Sequence, residues 1–259
     1  MSEGIFGPAS VTWRIGRERA VLLAGGRSLL MQLAHPRVAQ GVAEHSDFRE
    51  KPFRRLARTM TLSLDGMFGD RSRALRTAGQ INAAHVGVRG EGYSAFDPDL
   101  LLWVFATFTE STVLAYELFV GRLTAHEKDT YYEEGLAATR ALGLQRAIAP
   151  ATFEGLSSYI REQIESGVVR VNETGLAMCD ATLRPPRAPK VLRPAFDAGA
   201  FIAAAMLPAE LREQFRLPWS IRRQAAFDVF VRAVRRTVPR LPPALRYVPQ
   251  AREAERRVA

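Results

Sequence analysis

DPDLLLWVFATFTESTVLAYELFVG, residues 97–121, is the stretch on which the fold turns. Asp97 followed by Pro98 reads as a helix start, because an aspartate side chain accepts from the first free backbone N–H groups and proline fits the first helical turn, where an N–H has no partner to lose. From Asp99 to about Val120 the run is too long and too evenly apolar for a strand, and Gly121 ends it. Thr107, Thr109, Glu110, Ser111 and Thr112 form a polar belt inside it, among Trp103, Phe105, Phe108, Val113 and Phe119. Buried, that belt needs hydrogen-bond partners, Glu110 most of all. A salt bridge from an arginine of the RRLART cluster at 54–59 would make Glu110 structural; a free carboxylate there would be a candidate catalytic group.

Outward from this helix the pattern stays helical, with no alternating strand of convincing length and no internal repeat. Arg17 to Ala34 reads as one helix stopping near His35, since Pro36 disfavours helical geometry in the residue before it and can itself open a short second helix. Ser46 or Asp47 with Pro52 starts a helix to about Asp65, and Asp70 starts another from Arg71 to about Val88, before Gly90 and Gly92. Thr124 with Glu127 makes a capping box for a helix to about Leu142; further helices follow Thr152 and lie between Val168 and Leu183. RPPRAPKVLRP, residues 184–194, cannot be regular helix throughout. The expected organisation is therefore a helical core over 1–183, a proline-rich connector over 184–194, and a C-terminal helical lobe and tail over 195–259 packed on the core. Helices are expected there at 197–206 and 219–237.

The 259 residues are 47% hydrophobic, enough for a sizeable core. Of the 36 lysines and arginines only Lys51, Lys128 and Lys190 are lysine, which reads first as a coding bias; the formal charge of +9 also raises nucleic acid or an anionic membrane as partner. Arginines interleaved with acids, and the lack of an RNA-binding or zinc-finger signature, argue against nucleic acid. One cysteine, Cys179, excludes a disulfide framework and reads as a small buried hydrophobe. With Glu3 early, no secretory pattern and no run long enough to cross a bilayer, the expectation is a cytoplasmic protein.

Three of the four histidines fall between residues 35 and 90, in HPRVAQGVAEHSDF and HVGVRG, on either side of RRLART. Arg55, Arg58 and Thr59 stand at i, i+3 and i+4, so on a helix they share a face where guanidinium and hydroxyl groups suit a carboxylate or the polar side of a cofactor; the plain alternative is a solvated arginine face. His85, late in its helix with Ile81 and Val88 on neighbouring turns, is a candidate axial ligand to haem iron, or a buried histidine bonded to a carbonyl. Arg89 could pair with a haem propionate or serve as a charge at the helix C-terminus. His35 and His45 sit at helix ends that hydrogen bonding alone would explain, and His126 reads as surface. Gly25-Gly26, inside a helical pattern, marks close helix packing or room beside a bulky cofactor. There is no Glu-x-x-His pair, HExxH, P-loop or GxSxG, which disfavours di-iron carboxylate, zinc peptidase, nucleotide hydrolase and serine esterase chemistry.

Taken together, GRERAVLLAGGRSLLMQLAHPRVAQGVAEHSDF, RLART, FGD at 68–70, HVGVRG, YSAFDPDLLLWVFAT and YELFVGRLTAHEKDTYYEE resemble the family of latex-clearing rubber oxygenases and the mycophenolic-acid-pathway oxygenase, over roughly residues 10–185. The chain is most similar to its short, uncharacterised bacterial branch. The resemblance implies an all-α, globin-like multi-helix bundle around a haem pocket, holding one haem b, with His85 in the place of the proximal iron ligand. Arg55, Arg58 and Thr59 look like the family's Arg-x-x-Lys-Thr pattern, with arginine replacing the lysine. The glutamate that is catalytic in the rubber oxygenases has no secure match; His35 and His45 stand upstream instead. The expected activity is a haem-dependent oxygenase using dioxygen or peroxide on a hydrophobic small molecule, with Arg55, Arg58 and Thr59 as its catalytic polar set and His85, Arg89, His35 and His45 around the cofactor. An electron donor would be a further partner. The alternative is a haem-binding sensor or carrier without turnover.

Overall fold

A computed structural model of the chain describes residues 4–46, 52–185 and 189–258, with 52–57 described as helix backbone alone. In chain order the helices are α1 (Val11–Gly16), α2 (Ala24–Ala34), α3 (Pro36–His45), α4 (Pro52–Phe68), α5 (Arg71–His85), α6 (Pro98–Phe119), α7 (Ala125–Thr139), α8 (Phe153–Glu165), α9 (Glu173–Leu183), α10 (Arg193–Met206), α11 (Ala209–Gln214), α12 (Ile221–Thr237), α13 (Pro243–Arg246) and α14 (Pro249–Val258). Among the described residues the one sheet is a small antiparallel hairpin, β1 (Arg89–Gly90) with β2 (Tyr93–Ser94), which sets Arg89 opposite Ser94 and Gly90 opposite Tyr93. The chain is all-α.

Local sequence accounts for most helix starts. Asp97 accepts from the Asp99 N–H at 3.0 Å, Asp70 from Arg73 at 2.7 Å, and Thr124 and Glu127 form the expected reciprocal capping box. The start of α1 uses a distant residue as well: the Glu134 carboxylate, on α7, accepts from the N–H groups of Val11 and Thr12. The expected helix over 17–34 is broken. Glu18 is extended and bridges Tyr247, a single 3₁₀ stretch covers Arg19–Leu23, and α2 begins only at Ala24.

The centre of the main core is α2 laid against α6, with α10 on the other side of α2, α8 and α12 also on α6, and α9 beneath α3. Gly26 makes the α2–α10 approach possible: a Cβ there would lie 2.8 Å from the Ala203 Cβ, closer than two carbons can stand, whereas a Cβ on Gly25 would meet nothing within 4 Å. The polar belt of α6 is satisfied in two ways. Thr107, Ser111 and Thr112 donate back to the carbonyls of Trp103, Thr107 and Phe108 one turn earlier. The side of the belt facing α2 is met by Arg27, 3% exposed, which donates from Nε to the Met206 carbonyl at 2.8 Å, from Nη1 to Ser111 Oγ at 2.6 Å and from Nη2 to Glu110 Oε2 at 2.6 Å. One guanidinium thus ties α2, α6 and the end of α10 together, and Glu110 is half of a structural ion pair.

A second, smaller core joins Phe6, Trp13, Leu64, Phe68, Val248, Ala251 and Ala254. It fastens the C-terminal half of α4 to α1 and α14, and α4 pairs with α5 as an antiparallel helical hairpin. No residue of α5 belongs to either core; its buried side is Ala74 and Thr77 alone, and Asn82 reaches the Ala141 carbonyl at 2.8 Å. The hairpin is held at its turn by the second core and near its open end, by His85, through Asn82.

Candidate functional site

His85 is the last residue of α5, and its ring is exposed. Nδ1 lies 2.7 Å from the Ile81 carbonyl. A carbonyl can only accept, so Nδ1 carries a proton, and in the neutral ring the lone pair falls to Nε2, which points away from the helix hydrogen bond. The histidine is bonded to a carbonyl, as the plain alternative required, but it is not buried. Around it the helix end shows small and apolar residues to solvent: Ala83, Ala84 and Val86, the last 63% exposed.

Beyond His85 the chain turns immediately, with the Val88 N–H on the His85 carbonyl at 2.9 Å, and enters the β-hairpin with Arg89 exposed. That hairpin is clamped to α3. Tyr93, 6% exposed, lies between two glycines: a Cβ on Gly41 would come within 3.2 Å of its ring, and a Cβ on Gly90 within 2.5 Å. The Tyr93 hydroxyl donates to the Glu44 carboxylate in a short bond and accepts from His45 Nε2 at 3.1 Å. Burial and the neighbouring Glu44 push the Tyr93 phenol up to about 12, so it stays a donor across the physiological range. At the other end of α3, Arg37 pairs with Asp97 at 3.2 Å.

Arg58 and Thr59 are exposed on α4. Gly66 of α4 stands against Thr77 of α5, and running eight residues back along one helix and on along the other, about 12 Å each at 1.5 Å per residue, brings Arg58 level with His85. Arg55 lies one turn further out, among the residues described as backbone only, so its side chain falls outside the described residues. His35 is elsewhere. It is 5% exposed at the junction of α2 and α3, 6.3 Å from the Trp103 ring centroid, and its Nδ1 has no hydrogen-bond partner. Desolvation by burial, then the charge of Arg37, lowers its pKa. His126 is exposed, and Cys179 is buried with its thiol pushed up to about 12 by that burial.

The structure thus gathers His85, Arg89 and His45 around one small hairpin, leaves Arg58 and Thr59 exposed on the neighbouring α4, and keeps His35 inside the main body. Sequence reasoning missed Tyr93, Glu44 and Arg27. The glycines at 41 and 90 were the signal for Tyr93, since each is needed where the ring passes; Arg27 directly follows Gly26, which lets its helix approach α10.

Among the described residues no three His, Cys, Asp or Glu side chains gather as a metal-ligand set. A cavity of about 720 Å³ lies between α9, α10 and the start of α12, lined by Leu176, Asp180, Phe201, Arg216 and Arg223 among others, and a shallower hollow of about 510 Å³ separates α3 from α9. Neither of these two is lined by His85, Arg58 or Arg89. No described helix is long and apolar enough to cross a membrane.

The model of the family described as ER-bound oxygenase mpaB/B'/Rubber oxygenase, catalytic domain, matches residues 13–236. Uncharacterised proteins of Mycobacterium tuberculosis and Mycobacterium bovis are each 27% identical over 227 residues, covering 83% of this chain and 87% of theirs. No solved structure matches the chain.

Proposed function

For this chain, which belongs to the mpaB/rubber oxygenase catalytic-domain family, we propose a haem-dependent oxygenase acting on a hydrophobic small molecule, with His85 as the residue that holds the iron. Haem b, when bound, supplies the redox-active iron that lets dioxygen or peroxide react with an unactivated substrate.

The observation that carries this reading is the state of the His85 ring. A haem ligand needs an imidazole with one nitrogen anchored and the other free to bind, and the Nδ1–H to Ile81 carbonyl bond supports this: it selects the Nδ1–H tautomer of the neutral ring and orients Nε2 away from the helix. The donor set fits as well, because a porphyrin brings four of the iron's ligands itself and one histidine suffices. The exposed Ala83, Ala84 and Val86 offer the apolar contact that a flat macrocycle requires. Arg89 would pair with a propionate, and Arg58 and Thr59, exposed on α4, would with Arg55 offer N–H and O–H donors to a propionate or to the polar end of the reacting partners. His45 acts at one remove: through Tyr93 it holds the hairpin that follows His85. His35 keeps a neutral ring in a dry setting next to Trp103.

The test is a hemin titration followed by absorption, on the wild type and on His85→Ala. The wild type should take up one haem per chain with a Soret band typical of histidine ligation. The variant, folded by circular dichroism, should lose that band. A wild type that stays colourless, or a variant with an unchanged spectrum, overturns the proposal. A haem complex that consumes no dioxygen with reductant and apolar alkenes present would favour the sensor or carrier instead.

A further inference from the structure

We propose that the outward face of α12 docks on an anionic lipid bilayer. The helix buries Phe227 and half-buries Arg223, Phe230, Val231 and Val234, so the direction facing the body is fixed. At about 100° per residue the opposite arc carries Ile221, Ala225 and Val229 in line, with Arg222, Arg232 and Arg236 interleaved, and all six are exposed. Ile221 is 89% exposed and Val229 57%. Arg235 flanks the arc, Arg240 follows in the next turn, and the helix's one acid, Asp228, sits at the edge, where Gln224 donates to it at 2.9 Å.

Exposed isoleucine and valine in an arginine field is the pattern of a helix lying in the plane of a membrane surface. The apolar groups enter the boundary of the acyl chains while the guanidinium groups stay with lipid phosphates. The stripe runs about 22 Å, from 1.5 Å per residue, so the arginines can engage several headgroups at once. The chain's net charge of +9 adds long-range attraction. Nucleic acid fits the face less well: it has no exposed aromatic ring on which a base could stack, and Ile221 and Val229 would face phosphates. A second copy of the chain fits less well again, because a two-fold contact would set arginines against arginines with only Asp228 to offset them. The inference stands apart from haem binding, though a bilayer is where a hydrophobic substrate concentrates.

The experiment is co-sedimentation of the full chain with vesicles of phosphatidylcholine and phosphatidylglycerol, against vesicles of phosphatidylcholine alone. Binding should require phosphatidylglycerol and weaken with added salt. Arg232→Glu with Arg236→Glu should lower the partition at least about ten-fold, since each basic residue near an anionic surface contributes roughly five-fold. Val229→Asp should weaken it while leaving every arginine in place. Both variants lie on the exposed face, so their thermal melts should match the wild type. Absence of phosphatidylglycerol-dependent sedimentation overturns the proposal, as does binding that the charge reversal leaves intact. Retardation of duplex DNA without vesicle binding, or a dimer that the charge reversal dissociates, would replace it with one of the other two partners.

Discussion

At the scale of single residues, two histidines show how environment divides one side chain into two roles. His85 is exposed and anchored by a carbonyl, so its free nitrogen is available; His35 is buried with Nδ1 unpartnered, so its charged form is disfavoured. Desolvation is the larger cause of the lowered His35 pKa and Arg37 the next, outweighing Asp97, Asp99 and its own backbone bond. A group whose folded pKa lies below its unfolded value binds its proton more readily in the unfolded chain. Its contribution to stability is therefore whole above 6.5 and is lost as pH falls from there through the lower folded value. Urea unfolding should show the wild type losing stability from neutral pH downward through 6.5, and His35→Phe should flatten that slope. Equal slopes would mean that His35 stays neutral over this range in both states or titrates alike in them. From the sequence both His35 and His45 were explicable as helix-end residues. What distinguishes them is tertiary: Trp103 stands beside one and Tyr93, held by Glu44, beside the other, and neither ring is within reach along the chain.

At the scale of helices, legibility followed the range of the interaction that sets each boundary. Starts governed by a side chain two or three residues away, at Asp97, Asp70 and Thr124, were readable, and α6 appears almost where its apolar run placed it. The break at Glu18 was not readable, because its cause is Arg246 and Tyr247, 228 or more positions on. The short helices α1, α11, α13 and α14 carry too few periodic residues to stand out from loops. Gly25-Gly26 was readable as a pair but not residue by residue, and the structure separates the two. Gly26→Ala pushes a Cβ to 2.8 Å from that of Ala203, in a place where both helices are fixed by Arg27, and should destabilise by about 1–3 kcal/mol. Gly25→Ala, one position earlier and open to solvent, should stabilise by about 0.5–1 kcal/mol through helix propensity. Denaturant midpoints of the two variants should move in opposite directions. A tolerated Gly26→Ala would show that α2 and α10 can separate without cost.

At the scale of the molecule, the all-α class follows from the sequence, but the way the proposed site is carried does not. The α4–α5 hairpin that bears Arg58, Thr59 and His85 rests on the second core, whose members Ala251 and Ala254 come from the last helix and Val248 from the residue just before it. That helix is located in turn by Arg246, whose guanidinium meets both oxygens of Glu18 at 2.6–3.0 Å; Glu18 is 1% exposed. Burying such a carboxylate is tolerable only while its partner is present, so the pair is worth more as a condition on the fold than as a net gain. Arg246→Ala should cost about 3–5 kcal/mol, the usual result of leaving a buried charge alone. Glu18→Gln with Arg246→Met, which removes both charges, should recover most of that loss. The double variant therefore separates the cost of the orphaned charge from any loss of packing. If α14 indeed supports the hairpin, Arg246→Ala should also raise hydrogen exchange at the α4 amides near Leu64 and Phe68 while leaving α6 protected. Uniform loosening of both helices would show one cooperative body, in which the C-terminal segment has no particular hold on the His85 arm.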